Sequence, residues 1–251
     1  MILRQFLHTD PVVAASYLLG CGGRGAAAVV DPVGDPGSYL RVARETAMAI
    51  KFVLDTHVHA DHLSSGRELA RAAGAEYVLC GQTGAAYEYR AVREGERLEL
   101  GNVAMDVLHV PGHTPEHMAL AVTDRTRADE PWLVLTGHTL MVGDMGRTEL
   151  ATGAEEGARA LFESAQRLRA LADEVAVLPG AFSGSVCGRS LSGNPVSTIG
   201  FERRYNKAFG ILDRDAFVAL MLRDVPPRPH DVERIRTVNA GVSHQAAALT
   251  E

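Results

Sequence analysis

Four metal-chelating side chains lie within six residues of this chain, directly after an apolar segment at residues 50–54. They are His57, His59, Asp61 and His62. Imidazole and carboxylate are the usual protein ligands of zinc and non-haem iron. Alternate residues of an extended segment point to the same side, so the first three of these side chains share one side. A solvated polar loop is the alternative, but a chain with only ten histidines rarely places three of them in such a run by chance. The run therefore predicts a buried strand that ends at a metal site.

Two further histidines occupy the same kind of position. His113 follows a predicted strand and the pair Pro111-Gly112, and His138 follows an apolar segment that ends at Gly137. Either histidine alone could belong to a loop or to the core. Together with the first run, they place imidazoles at the ends of three strands, which is the geometry expected of a metal site on the rim of a sheet.

Short strands dominate the first part of the chain, and amphipathic helices follow them. This order predicts an α+β fold in which two sheets are sandwiched between helices. Helix 64–73 has Ser64 or Ser65 as its cap and ends at Gly74. The predicted strands are residues 16–19, 26–30, 52–54, 77–80, 97–100, 103–110, 118–123, 132–135 and 175–178. The predicted helices are 39–50, 64–73, 155–172 and most of 201–222, and residues 225–229 are predicted to be extended over the surface.

Composition excludes several classes of protein. Apolar residues make up 46% and charged residues 22% of the 251 positions, as in ordinary globular domains. The net charge is −6 and no block of Lys and Arg stands out, which argues against a nucleic-acid partner. The apolar runs 12–19 and 26–30 are too short to span a bilayer, so no membrane partner is expected. Cys21, Cys80 and Cys187 are odd in number and widely spaced, and no signal peptide is recognisable. We therefore expect a reducing, cytoplasmic location.

The run from His57 to His62, followed by His113, resembles the metallo-β-lactamase superfamily. That resemblance implies an αββα sandwich with metal ions at one edge. Within the superfamily the chain resembles the glyoxalase II and persulfide dioxygenase branch, in particular the persulfide dioxygenase domain often fused to a rhodanese. The resemblance implies one domain over residues 1–251, in which 202–251 is a helical and extended C-terminal extension. No rhodanese domain is expected. The segments that carry the resemblance are residues 31–32, 56–66, 110–114, 142–148, 184–188, 197–206, 226–227 and 239–241.

The chain departs from the family pattern at two positions. The family holds iron with two histidines and one aspartate, a triad with open positions for substrate and O₂. The two histidines match His57 and His113, whereas His138 stands where the aspartate is expected. Ala181 stands where hydrolases of the family have a histidine for a second metal ion. Two-metal hydrolysis needs a bridging carboxylate and ligands on both ions, so these changes argue against it.

The resemblance thus implies one Fe(II) ion per chain, bound by His57, His113 and His138. Zinc is the alternative, because three histidines and a water molecule also form a known zinc site. His59, Asp61 and His62 would orient the ligands. The positions expected to contact substrate are Arg147, Cys187 and Arg203. Each of the three has a structural alternative: an ion pair with Asp144 or Glu149, a small buried apolar group, and an exposed helix face, respectively.

The function implied is that of a sulfur-oxidising dioxygenase. Its substrates would be O₂ and a thiol or persulfide such as glutathione persulfide, and its products sulfite and glutathione. One alternative is a single-metal zinc hydrolase of thioesters or esters, of the glyoxalase II type. Another is a repurposed member of the family that binds a thiol without dioxygenase activity. Relatives of this kind often form homodimers, so a homodimer is one possible oligomeric state of this chain.

Overall fold

Two six-stranded β-sheets form the centre of the structure, a computed structural model that describes residues 1–223 and 225–242. The first sheet has its strands in chain order, and the second has the order β14-β13-β10-β9-β8-β7. The strands of the first sheet are β1 (Ile2–His8), β2 (Ala14–Cys21), β3 (Ala26–Val30), β4 (Ala49–Leu54), β5 (Glu76–Cys80) and β6 (Arg90–Val92). The strands of the second are β7 (Arg97–Leu100), β8 (Val103–His109), β9 (Met118–Asp124), β10 (Leu133–Gly137), β13 (Ala176–Pro179) and β14 (Ser197–Thr198). The short strands β11 (Leu140–Met141) and β12 (Asp144–Met145) pair with each other.

Helices cover both outer faces of the paired sheets. The six α-helices in the described part of the chain are α1 (Pro36–Glu45), α2 (Gly66–Ala73), α3 (Ala154–Arg169), α4 (Ile199–Tyr205), α5 (Arg214–Leu222) and α6 (Val232–Asn239). One apolar cluster joins the first sheet to α1 and α2, and another joins the second sheet to α3, α4 and α5. The predicted αββα sandwich is therefore confirmed. No helix within residues 1–223 and 225–242 combines the length and the apolar character that spanning a bilayer requires.

Strands β2 and β9 are buried on both faces because two different layers pack against each of them. In β2, Tyr17 and Leu19 point into the core between the sheets, whereas Leu18 points to the layer that contains α1 and α2. In β9, Leu120 points into the core between the sheets and Ala119 packs against the other helical layer. Successive side chains of a strand alternate between faces, so an almost continuous apolar run is the pattern expected of a strand between two layers.

The helix predicted over residues 39–50 is wrong at its C-terminal end. Helix α1 ends at Glu45, and Ala47 has a positive φ of 54°, which turns the chain back towards the sheet. From Ala49 the chain forms β4, in which Ile50 is buried while Lys51 is exposed. The alternating exposure of this segment has the period of a strand, and sequence reasoning assigned it to the helix because the charged residues before it have helical spacing.

The helix predicted over most of residues 201–222 is two helices. Helix α4 ends because the Asn206 side chain accepts hydrogen bonds from the backbone N–H groups of Ala208 and Phe209, both at 3.1 Å, and thereby holds a turn. Sequence reasoning did not predict β1 or α6. Residues 225–229 belong to no helix or strand, and their extended conformation stays a prediction. Asp224 and residues 243–251 lie outside the described residues, and the domain boundaries assigned above stay a prediction.

The two sheets meet at the edge where the histidines lie. His57 follows β4 of the first sheet, His113 lies in the loop from β8 to β9, and His138 follows β10. The backbone N–H of Met118 donates to the carbonyl of Thr56 at 2.9 Å, which ties the loop after β4 to the start of β9. Strand ends of both sheets are thereby held together.

Candidate metal centre

Three imidazoles converge at this edge. One ring nitrogen each of His57, His113 and His138 lies within 4.8 Å of the other two. All three side chains are almost fully buried, with exposed fractions of 2%, 1% and 1%. The three predicted ligands are therefore brought together in a water-poor position. The spacing suits a single ion bound at their centre, with further coordination positions left for a substrate.

Hydrogen bonds fix which nitrogen of each ring is free to bind a metal ion. The Thr56 hydroxyl donates to Asp31 at 2.9 Å, so its lone pair accepts from Nδ1 of His57, also at 2.9 Å. Nε2 of His57 is then a free lone pair, and this buried atom has no hydrogen-bond partner among the described residues. Nδ1 of His113 donates to the carbonyl of Arg147 at 2.7 Å, which leaves Nε2 of His113 free. Such bonds to the second nitrogen are the usual way in which proteins orient metal-binding histidines.

His138 is positioned by a close turn at the end of β10. Its Nδ1 lies 3.3 Å from Nε2 of His113. Gly137 precedes it with a positive φ of 50°, and a Cβ at this position would lie 2.6 Å from both Cε1 of His117 and the Thr56 hydroxyl. No other residue fits this turn, which explains why a glycine precedes the histidine. The backbone N–H of His138 donates to Nε2 of His117 at 3.0 Å.

Burial keeps these imidazoles neutral. Burial, followed by the neighbouring imidazoles, holds the pKa of His57 well below its ordinary value and lowers that of His113 to about 3. Burial also lowers the pKa of His138, and that of His117 more strongly. A neutral ring with one lone pair is the form of histidine that binds metal ions, so the metal-free centre is already in its binding form at neutral pH.

The remaining residues of the first run form a second cluster. His59, Asp61 and His62 each offer one ligand atom, and these three atoms lie within 4.8 Å of one another. Nδ1 of His62 donates to Asp61 at 2.9 Å, and Nε2 of His59 donates to Asp31 at 3.2 Å. Although burial opposes it, the proximity of His62 holds the pKa of Asp61 below its ordinary value. Burial also disfavours the charged form of His59, but the bond to Asp31 outweighs it and raises the pKa to about 9. Their bonds connect these residues to Asp31 and to one another, and their role as ligand-orienting groups stays a prediction.

A metal ion fits this edge of the sandwich. Four buried atoms of the first histidine run have no hydrogen-bond partner in the part of the chain that the structure describes: Nε2 of His57, Nδ1 of His59, Oδ2 of Asp61 and Nε2 of His62. Buried polar atoms without partners are unfavourable unless a cation or water satisfies them. They are also the atom types that zinc and iron prefer.

Cys187 lies beside the centre. Its thiol is within 4.8 Å of ligand atoms of both Asp61 and His138, and the residue is 1% exposed. Burial, and then the negative charge of Asp61, raise the pKa of this thiol well above its ordinary value. The predicted proximity to the site is therefore present. In the absence of a nearby cation, the group is a neutral thiol rather than a thiolate.

The two predicted substrate arginines are engaged in structural bonds. Arg147 pairs with Glu149 and donates to the carbonyls of Val186, Pro226 and Pro227. Of the two ion pairs considered for it, the structure has the one with Glu149. Arg203 pairs with Asp173 and donates to the backbone carbonyls of Arg169 and Leu171 at the C-terminal end of α3. Their donors are used within the protein, so substrate binding by either residue stays a prediction that the geometry does not favour.

Three residues that support the centre were not recognised from the sequence. Asp31 accepts bonds from Thr56 and His59, but in the sequence it was only part of the segment 31–32 that carries the family resemblance. His117 stacks on His57 with ring centroids 4.6 Å apart. Asn239 donates to the carbonyls of His59 and His62 at 2.9 and 2.8 Å. Asp31 directly follows β3, which pairs in parallel with β4, the strand before the first histidine run. This position could have indicated that Asp31 supports the metal centre.

Comparison with known proteins agrees with this geometry. The sequence model of the Metallo-beta-lactamase superfamily matches residues 9–180. The chain belongs to this superfamily. Membership implies a metal site at the edge where the histidines converge, and the predicted resemblance is confirmed.

Individual relatives are enzymes of two kinds. The chain is 26% identical over 237 residues to the mitochondrial persulfide dioxygenase ETHE1 of Homo sapiens, covering 93% of this chain and 85% of that protein. It is 31% identical over 169 residues to the hydroxyacylglutathione hydrolase of Rhodospirillum rubrum, covering 65% of this chain and 60% of the hydrolase. The crystal structure of ETHE1 from Myxococcus xanthus has a TM-score of 0.83 and 29% identity, and the match covers 97% of this chain and all of that one.

Proposed function

We propose that this chain is a dioxygenase that oxidises the terminal sulfur of a low-molecular-weight persulfide and uses one Fe(II) ion held by His57, His113 and His138. The observation that carries the proposal is the convergence of three neutral imidazoles within 4.8 Å at the meeting edge of the two sheets. A metal ion with three protein ligands keeps coordination positions open for other molecules. A reaction between O₂ and a metal-bound sulfur requires such open positions.

The extent of the similarity supports a dioxygenase over a two-metal hydrolase. The alignment with persulfide dioxygenase covers 93% of the chain, whereas that with the hydrolase covers 65%. Ala181, which follows β13, offers no ligand for a second ion. Asp61 and His62 then lack the third protein ligand that the hydrolases of the family have after that strand.

Overall, one persulfide, one O₂ and one water molecule yield one thiol, one sulfite and two protons. The bound iron would supply the redox chemistry between O₂ and sulfur. Three neutral imidazoles leave the positive charge of a divalent ion uncompensated, so they favour an anionic sulfur ligand over a neutral one. Burial of the site excludes bulk water, and the hydrogen bonds that His57 donates to the Thr56 hydroxyl and His113 donates to the Arg147 carbonyl hold two of the rings in place. In this proposal the protein supplies orientation and a dry, positively biased site.

A zinc-dependent hydrolase is the second candidate. The cluster of His59, Asp61 and His62 favours it, because three of its buried atoms have no hydrogen-bond partner among the residues described. A ligand atom of Asp61 also lies within 4.8 Å of one of His138. A neighbouring carboxylate could accept a proton from a water molecule on its way to a thioester carbonyl. This candidate predicts hydrolysis of glutathione thioesters by the zinc-loaded protein without O₂.

Metal analysis and O₂ uptake test the proposal together. Protein purified without added metal is expected to contain iron near one ion per chain, to consume O₂ with glutathione persulfide, and to release sulfite. His113→Ala should lose both the iron and the O₂ uptake, whereas His230→Ala, at an exposed histidine of the C-terminal segment, should retain both. If the iron-loaded protein consumed no O₂ and formed no sulfite, the dioxygenase proposal would be wrong. Thioester hydrolysis by zinc-loaded protein would then support the second candidate.

A further inference from the structure

His117 packs against the three converging histidines but is not one of them. The residue is fully buried and directly precedes β9. Its backbone carbonyl accepts a hydrogen bond from the N–H of Val110 at 2.8 Å, which ties it to the residue that follows β8. Both of its ring nitrogens have partners within the protein: the backbone N–H of His138 at Nε2 and the hydroxyl of Thr139 at Nδ1. The ring therefore has no lone pair left for a metal ion.

These hydrogen bonds fix the tautomer of the His117 ring. A backbone N–H can only donate, so Nε2 of His117 carries a lone pair that accepts from His138 at 3.0 Å. The Thr139 hydroxyl donates to the carbonyl of Val110 at 3.1 Å, so its oxygen accepts from Nδ1–H of His117, also at 3.1 Å. Burial, followed by the neighbouring imidazoles, holds the pKa of His117 well below its ordinary value, which agrees with this neutral form. One neutral imidazole thus links the turn after β10 to the end of β8.

His117 also packs flat against the ring of His57. The two ring centroids lie 4.6 Å apart, with an angle of 15° between the ring planes. The hydrogen bond between Nδ1 of His57 and the Thr56 hydroxyl fixes one edge of the His57 ring but leaves rotation about that bond open. A second ring against the face of His57 restricts this rotation. The direction of Nε2 of His57 is thus set by two contacts, one at its edge and one at its face.

The turn that carries His138 is fitted closely to the His117 ring. A Cβ at Gly137 would lie 2.6 Å from Cε1 and 2.7 Å from Nε2 of His117. The backbone of this turn can therefore approach the ring only because position 137 has no side chain. His57 follows β4 of the first sheet and His138 follows β10 of the second. A single buried ring thus contacts metal-binding residues from both sheets.

We propose that His117 is a positioning residue, which sets the spacing of the metal-binding nitrogens by holding His57 and His138 at the same time, an inference that rests on the proposed function. It acts on His138 through the acceptor at Nε2 and on His57 through the flat face of the ring. Residues that orient metal ligands typically contribute about 10–100-fold to metal affinity. The contribution of His117 comes from geometry alone, because the ring is neutral and binds no ion itself.

Substitution by the two amides separates the acceptor at Nε2 from the bulk of the side chain. Both amides are neutral, but the glutamine oxygen reaches the position of Nε2, whereas the asparagine side chain reaches only that of Nδ1. In anaerobic competition with a chelator, His117→Gln should bind Co(II) within about threefold of the wild type and His117→Asn about tenfold or more weakly. The visible absorption bands of bound Co(II) report the arrangement of its ligands, so they should change in the asparagine variant and persist in the glutamine variant.

Two further measurements guard against a loss of folding. Arg169→Met removes buried hydrogen bonds away from the centre, so it loses stability but should bind Co(II) like the wild type. In the metal-free wild type, long-range proton–nitrogen NMR correlation should show the proton of His117 on Nδ1. A proton on Nε2 would overturn the inference, and so would equal Co(II) affinities of the two amide variants.

O₂ uptake separates this inference from the proposed function. If the wild type consumes O₂ with glutathione persulfide but the two amide variants bind Co(II) equally, the positioning role is wrong and the dioxygenase proposal stands. If the amide variants differ as expected but the iron-loaded wild type consumes no O₂, the positioning role stands and the dioxygenase proposal fails.

Discussion

Asn239 connects the last described helix to the loop that carries the metal-binding residues, and its removal should disturb both. Its side chain donates to the carbonyls of His59 and His62 and accepts from the backbone N–H of Ser64 at 3.0 Å. A hydrogen bond within a protein contributes about 1 kcal/mol net, so Asn239→Ala should lower the free energy of unfolding by about 2–3 kcal/mol. Asn239→Asp keeps the acceptor but sets a carboxylate against two carbonyl oxygens, so we expect it to be at least as destabilising at neutral pH.

Urea denaturation of the metal-free protein would measure the change, and thermal denaturation should show a Tm lower by about 5–10 °C. Zinc affinity, measured by competition with a chelator, should fall as well because the loop that positions His57 loses its contact with α6. Thr237→Ala on the same helix is the control. Among the described residues, that hydroxyl bonds only to the Glu233 carbonyl one turn earlier, and its loss should change stability by no more than about 0.5 kcal/mol. If Asn239→Ala and Thr237→Ala had the same unfolding free energy and the same zinc affinity, the argument for this connection would be refuted.

Three further substitutions have defined outcomes. His138→Asp recreates two histidines and one carboxylate, so elemental analysis should show a higher ratio of iron to zinc than in the wild type. Thr56→Val removes the hydroxyl that orients His57, and chelator competition should show a metal affinity weakened by about tenfold or more. Arg169→Met removes the buried guanidinium that donates to two carbonyls of the loop between α4 and α5. It should lower the free energy of unfolding by about 2–4 kcal/mol and leave the metal content unchanged.

The three histidines could be predicted because each follows an apolar strand, two of them directly after a glycine. That pattern is local in the sequence. The only non-local assumption needed was that the ends of the three strands lie at the same edge of the fold. The contacts of Asp31 could not be read in the same way. Its partner Thr56 is 25 positions further along the chain, and only the parallel pairing of β3 with β4, in which Val30 lies beside Leu54, brings the two residues together.

The part played by α6 was beyond a reading of the sequence. This helix has eight residues and follows a proline-rich segment, so it gives a weak periodic signal. Asn239 contacts the carbonyl of a residue 180 positions earlier, and no local pattern encodes a contact at that separation. A cavity of about 630 Å³ between α2 and α6 depends on this docking, because residues of both helices line it.

The three-histidine centre draws its nitrogens from loops of both sheets, and this has a mechanical consequence. A movement of the second sheet as one body leaves the separation of His113 and His138 nearly unchanged, because both follow strands of that sheet. A sliding of one sheet over the other alters the distance from His57 to both of them. The fit of an ion at this edge is thus set by the packing between the sheets, where Tyr17 and Leu120 lie. Substitutions between the sheets would therefore change the spacing of the metal-binding nitrogens without altering any metal ligand.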